Sequence, residues 1–99
     1  MIAVMVRFQY ENEFNEARLQ QIAESARSKF QGMPGLRSKT FTVDAAKRQA
    51  LNFYVWESEE AARKFFSPQM VDGVVKIYGV RPSVEYLKLA ALVENPPSA

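Results

Sequence analysis

Apolar and polar positions along the chain alternate with two different periods, and these divide it into short elements. Residues 2–10, IAVMVRFQY, place Val4, Val6, Phe8 and Tyr10 on one parity and Met5, Arg7 and Gln9 on the other, as a strand does. Leu19, Ile22, Ala23, Ala26 and Phe30 then recur at helical spacing, opposite a face carrying Arg18, Gln21, Ser25 and Ser28. Asn15 is placed to cap this helix, Phe14 to staple onto Leu19, and Gly32 to end it. After the Met33-Pro34-Gly35 turn, residues 36–43 read as a half-polar strand. Residues 44–48 read as a hairpin loop, and residues 49–56, QALNFYVW, as a more apolar strand.

Ser58 followed by Glu59 and Glu60 predicts a helix start, with acids where the helix dipole favours them and Phe65-Phe66 at the end. Ser67-Pro68 starts another helix as cap and first residue, Val71, Val74, Val75 and Tyr78 form its buried stripe, and Gly79 stops it. A last strand is expected over roughly Ser83 to Leu92. Residues 94–99, with Pro96-Pro97, read as a disordered tail on a single domain of residues 1–93. The order βαββα(α)β predicts an α+β, ferredoxin-like fold with a four-stranded antiparallel sheet, its first and third strands central and its helices on one face.

Such a sheet leaves one face bare. The two central strands each carry an apolar parity, Val4, Val6 and Phe8 in one and Leu51, Phe53 and Val55 in the other. More apolar surface than the helices can cover predicts a homodimer stacked through the helix-free sheet face; the alternative is a monomer whose bare face is partly polar. The remaining positions are chemically mixed. Asn is depleted in strands, yet Asn52 sits mid-strand with Tyr54 and Trp56 on its parity, and the neighbouring strand offers Met5, Arg7 and Gln9. Polar groups at the centre of a sheet either line a cavity or satisfy one another, with Arg7 then pairing Glu85 or Glu57.

Composition narrows the chemistry. The 99 residues fit one domain, and 47% hydrophobic with 24% charged residues is a globular balance. The chain has no Cys and no His, which removes disulfides, thiolate nucleophiles, His-dependent triads and most zinc sites. A net charge of +2, with no Gly-rich phosphate loop and no aromatic residues interleaved with basic ones, predicts neither a nucleic-acid nor a membrane partner. No leader or bilayer-length apolar run is evident, and a cytoplasmic protein is the expectation.

Several segments carry a family resemblance across nearly the whole chain: Met33-Pro34-Gly35-Leu36 with Lys39 downstream, Asn52-Phe53-Tyr54-Val55-Trp56 leading into Ser58-Glu59-Glu60-Ala61, and Tyr78-Gly79-Val80-Arg81-Pro82-Ser83. In these it resembles the YdhR-like mono-oxygenase proteins of the dimeric α+β barrel superfamily and, more distantly, the antibiotic-biosynthesis mono-oxygenase group. The resemblance implies a homodimer with a pocket between sheet and helices. It further implies a cofactor-independent mono-oxygenase acting with O₂ on a small aromatic compound, anthrone-, phenol- or quinol-like, with no metal. Asn52 and Trp56 would be catalytic, Arg7 or Lys39 would stabilise a substrate anion, and Tyr54 and Tyr78 would assist as ligand-binding groups. Haem-degrading relatives use a His beside the Asn and Trp, and this chain has none. A non-catalytic dimer that binds a small ligand is the alternative reading.

Overall fold

A computed structural model describes residues 1–97. The order is β1 (Ile2–Gln9), α1 (Glu16–Phe30), β2 (Leu36–Asp44), β3 (Gln49–Trp56), α2 (Glu59–Phe65), α3 (Pro68–Tyr78) and β4 (Ser83–Lys88). The strands form one antiparallel sheet in the order β2-β3-β1-β4, so β1 and β3 are central as the pattern predicts.

Local chemistry sets the element ends. The side chains of Asn15, Ser58 and Ser67 accept from the backbone N–H of Arg18, Ala61 and Met70, each satisfying a donor that the helix leaves unpaired. Gly79 closes α3 in the left-handed region at φ 83°, where a side chain would be strained. Gly35 combines φ 82° with crowding, because a Cβ there would meet the Ala61 Cβ at 3.2 Å. Helix α1 ends at Gln31 in extended conformation, one residue before the expected Gly32.

One expectation changes. Strand β4 stops at Lys88 instead of reaching Leu92, because Lys88 already pairs with Ile2, the first residue of β1, and no partner backbone remains. At the start of the expected tail, Glu94 Oε1 accepts from Arg37 Nη2 at 2.7 Å in an exposed ion pair on the edge opposite β4. Of the expected tail, residues 98–99 lie outside the described residues.

Register decides which side chains share a face, since directly opposed residues in an antiparallel pair point the same way. Val4 opposes Tyr54, Val6 opposes Asn52, and Ile2 opposes Trp56. These positions face the helices and, with Phe8, Leu19, Ile22, Ala50 and Ala62, make the core. Arg7 opposes Leu51 and Met5 opposes Phe53, so Arg7 stands on the helix-free face with Leu51, Phe53 and Val55. The two apolar parities therefore lie on opposite faces, and the grouping of Arg7 with Asn52 is corrected. Arg7 is exposed, and among the described residues its guanidinium reaches only the Met5 sulfur, at 3.9 Å.

Candidate functional site

The helices do not fill the space above the sheet centre. A cavity of about 340 Å³ lies there, floored by Val6, Phe8, Asn52 and Tyr54 and walled by α1 and α3. It explains why the α3 stripe is less buried than its spacing suggests. None of α3's residues is fully buried, because Val71, Val74 and Tyr78 face a hollow and not packed side chains.

Asn52, only 3% exposed, is held at the floor by β3. Its Nδ2 donates to the Tyr78 hydroxyl at 3.2 Å. Tyr78 is fixed twice more: its ring stacks on Phe8 with centroids 3.8 Å apart, and its carbonyl accepts from the Tyr10 hydroxyl at 2.7 Å. Burial raises the Tyr78 hydroxyl pKa above its usual value, against a smaller opposing effect of the Asn52 hydrogen bond. Burial also raises that of Tyr54, with Tyr78 adding to the effect and Asn52 opposing it. Both phenols therefore stay protonated near neutral pH, and each keeps an O–H that can donate to a bound group.

Lys39 enters from β2, opposite Tyr54. Its ammonium lies 3.5 Å from the Phe30 centroid, 4.1 Å from that of Phe41 and 4.5 Å from that of Tyr54. Aromatic faces attract a cation but do not replace its hydration. Among the described residues no carboxylate pairs with it. Burial, then repulsion from Lys29, lowers its pKa to about 7. The cavity thus holds an amine that is part free base at neutral pH, which the absence of His had left unprovided for.

Trp56 is not at the cavity. It lies behind Tyr54, stacked on it at 6.1 Å, and packs on Phe65 at 5.0 Å. Its indole Nε1 is buried without a partner. Of the expected site residues, Asn52, Tyr54, Tyr78 and Lys39 line one cavity, while Trp56 supports its wall and Arg7 is on the far side of the sheet. The sequence reading missed Arg18, Ser25 and Lys29, which edge the cavity although the first two were assigned to the solvent face of α1. They recur with Ile22 at helical spacing, and that signal was available. Among the described residues no three acids gather as a metal site, and no helix is long and apolar enough to cross a membrane.

A second depression, of about 850 Å³, lies between α1 and edge strand β2. Exposed Gln20, Glu24, Arg27 and Arg37 line it with both signs of charge, and Phe30, Lys39 and Phe41 border both hollows.

Residues 3–89 match the family described as "Putative mono-oxygenase ydhR". The chain belongs to that family. Solved structures share the fold across almost the whole length. Rv0793 from Mycobacterium tuberculosis aligns with TM-score 0.63 and 19% identity, over 96% of this chain and 98% of its own. A variant of SnoaB, a cofactor-independent oxygenase from Streptomyces nogalater, aligns with TM-score 0.67 and 13% identity, over 95% and 97%. A monooxygenase from the ActVA-Orf6 gene of Streptomyces coelicolor, in complex with nanaomycin D, aligns with TM-score 0.65 and 19% identity, over 95% and 92%. No protein of curated function matches the sequence significantly. At such identities the structural likeness establishes the fold alone.

Proposed function

We propose that this family member is a cofactor-independent mono-oxygenase that oxidises a small aromatic compound, of anthrone, phenol or quinol type, with O₂. The observation that carries the reading is the convergence of Asn52, Tyr78 and Lys39 on one cavity with an otherwise largely apolar floor. An electron-rich aromatic anion can itself reduce O₂, so the protein has to orient the substrate, take its proton and exclude water.

For an anthrone-type substrate the steps balance without another reactant. The free amine of Lys39 takes a proton from the substrate, and Asn52 and the Tyr78 hydroxyl hold the oxygen on which negative charge collects. The carbanion carbon forms a bond to O₂, and the resulting peroxide takes a proton back to give a hydroperoxide. Loss of the remaining hydrogen on that carbon and cleavage of the O–O bond leave a carbonyl and one water. The ring methylene supplies all four electrons.

The same reading takes the active species to be a homodimer stacked through the helix-free face, where Leu51, Phe53 and Val55 stand with Met5. Oxygen uptake with anthrone or a hydroquinone tests the activity, and Asn52→Ala should lower the rate about tenfold or more. Unchanged uptake in that variant would remove Asn52 from the mechanism. The same apolar floor also suits a non-catalytic binding role. Ligand-dependent stabilisation with no product would select it.

A further inference from the structure

Two ammonium groups share one aromatic ring at the cavity wall, and among the described residues neither forms an ion pair with an acid. Lys39 Nζ lies 3.5 Å from the Phe30 centroid and Lys29 Nζ 5.7 Å from it. Both lysines line the cavity, as does Arg18, near the opposite end of α1. No Asp or Glu lines it. Of the cations elsewhere, Arg27, Arg37, Arg63 and Arg81 each hold a carboxylate, and none of these four lines this cavity. Arg18 adds a second anomaly. It occupies the first turn of α1, where the helix dipole disfavours a cation, so its position is not explained by the helix itself.

Ordinary solvation accounts for an exposed Lys29 taken alone. It does not account for Lys39, which is recessed among three rings and repelled by Lys29. A bound anion would relieve both the repulsion and the missing counter-charge, and charge-assisted hydrogen bonds are about twice as strong as neutral ones. Depth distinguishes the two groups: Lys29 is exposed at the rim and Lys39 half-buried below it.

We propose that the Lys29–Lys39 pair recognises two neighbouring acidic oxygens, so that the substrate class is an aromatic acid with a phenolic or enolic hydroxyl beside its acid group. The permanent acid meets Lys29 at the rim, the ionisable hydroxyl meets Lys39, and the ring lies against the half-buried Val71 and Val74. This rests on the oxygenase reading only in placing the substrate in that cavity.

Affinity for a matched pair of probes tests it: hydroxynaphthoate with adjacent hydroxyl and carboxylate groups, and its neutral carboxamide. Fluorescence titration of the full chain at low salt should show the acid binding about tenfold tighter or more, a difference that Lys29→Gln removes. Lys29 is exposed, so that variant is expected to fold. Equal affinities in the wild type, or a preference that survives in Lys29→Gln, would overturn the proposal. So would the acid failing to bind at all. Oxygen uptake separates the two ideas. Uptake with a neutral quinol but no acid preference leaves the oxygenase reading standing without this one. An acid preference without uptake from any probe does the reverse.

Discussion

The Asn52 Nδ2 donates to the Tyr78 hydroxyl at 3.2 Å, joining the middle of a central strand to the last turn of α3 across the cavity. Among the residues at the cavity, this bond ties sheet and helix together. Tyr78→Phe removes the acceptor and leaves a buried amide donor without it, which should cost roughly 1–3 kcal/mol by chemical denaturation. Asn52→Ala combined with Tyr78→Phe should cost less than the sum of the single changes, with a coupling of about 1 kcal/mol. Strict additivity would show that the contact carries no energy.

Lys39 predicts an unusual dependence of stability on pH. Its pKa falls from 10.5 to about 7 in the folded protein, chiefly through burial. Between those values the unfolded chain binds the proton and the native chain does not, so stability rises with pH across that window and levels off below about 7. The rise is on the order of a few kcal/mol. Tyr10, Tyr54 and Tyr78 act the other way at higher pH, because burial raises each above 10.0 and the unfolded phenols ionise first. Denaturation midpoints from pH 6 to 11 should therefore pass through a maximum. Lys39→Met should flatten the rising limb and stabilise the protein most near neutrality. A rising limb that survives in Lys39→Met would assign it to another group.

The helix ends were legible in the sequence because a cap depends on its neighbours: Asn15, Ser58, Ser67 and Gly79 do in the structure what their positions suggest. Strand order followed from the sequence of elements. Side-chain partnership across strands did not, since it depends on register, and a one-residue shift exchanges the two faces. Val6 opposes Asn52, so Arg7 falls on the other side, and no single strand contains that information. Lys39 was legible as a group that would hold a substrate anion, but its cage was not, because Phe30, Phe41 and Tyr54 come from three elements.

Trp56 provides a direct comparison with Asn52. They share a strand parity, but four residues of strand separate them by about 13 Å, and Tyr54 intervenes. Trp56→Phe loses ring volume but also removes an indole N–H that is buried without a partner. It should cost no more than about 2 kcal/mol, against about 3–5 kcal/mol for Trp56→Ala. Oxygen uptake in Trp56→Phe should stay within about threefold of wild type, unlike the tenfold loss expected for Asn52→Ala. Equal losses in the two variants would mean that the indole reaches the substrate.

The helix-free face yields the last prediction. Leu51 and Phe53 stand half-buried at its centre with Met5, beside Val55, which the chain itself already buries, while Arg7, Thr40, Thr42 and Glu85 stand on the same face. An apolar centre beside polar groups is how a protein interface is composed. In a two-fold dimer one substitution at the centre appears twice, so Phe53→Glu would place two carboxylates in a desolvated contact. Light scattering after size exclusion at micromolar concentration should give a dimer mass for the wild type and a monomer mass for Phe53→Glu. Unchanged far-UV circular dichroism would show that the variant still folds. The cavity lies on the other face, so any loss of probe binding in the folded monomer would measure what dimerisation contributes to the site. A wild-type monomer under those conditions would remove the stacked-sheet interface from the proposal while leaving Asn52, Tyr78 and Lys39 together within one chain.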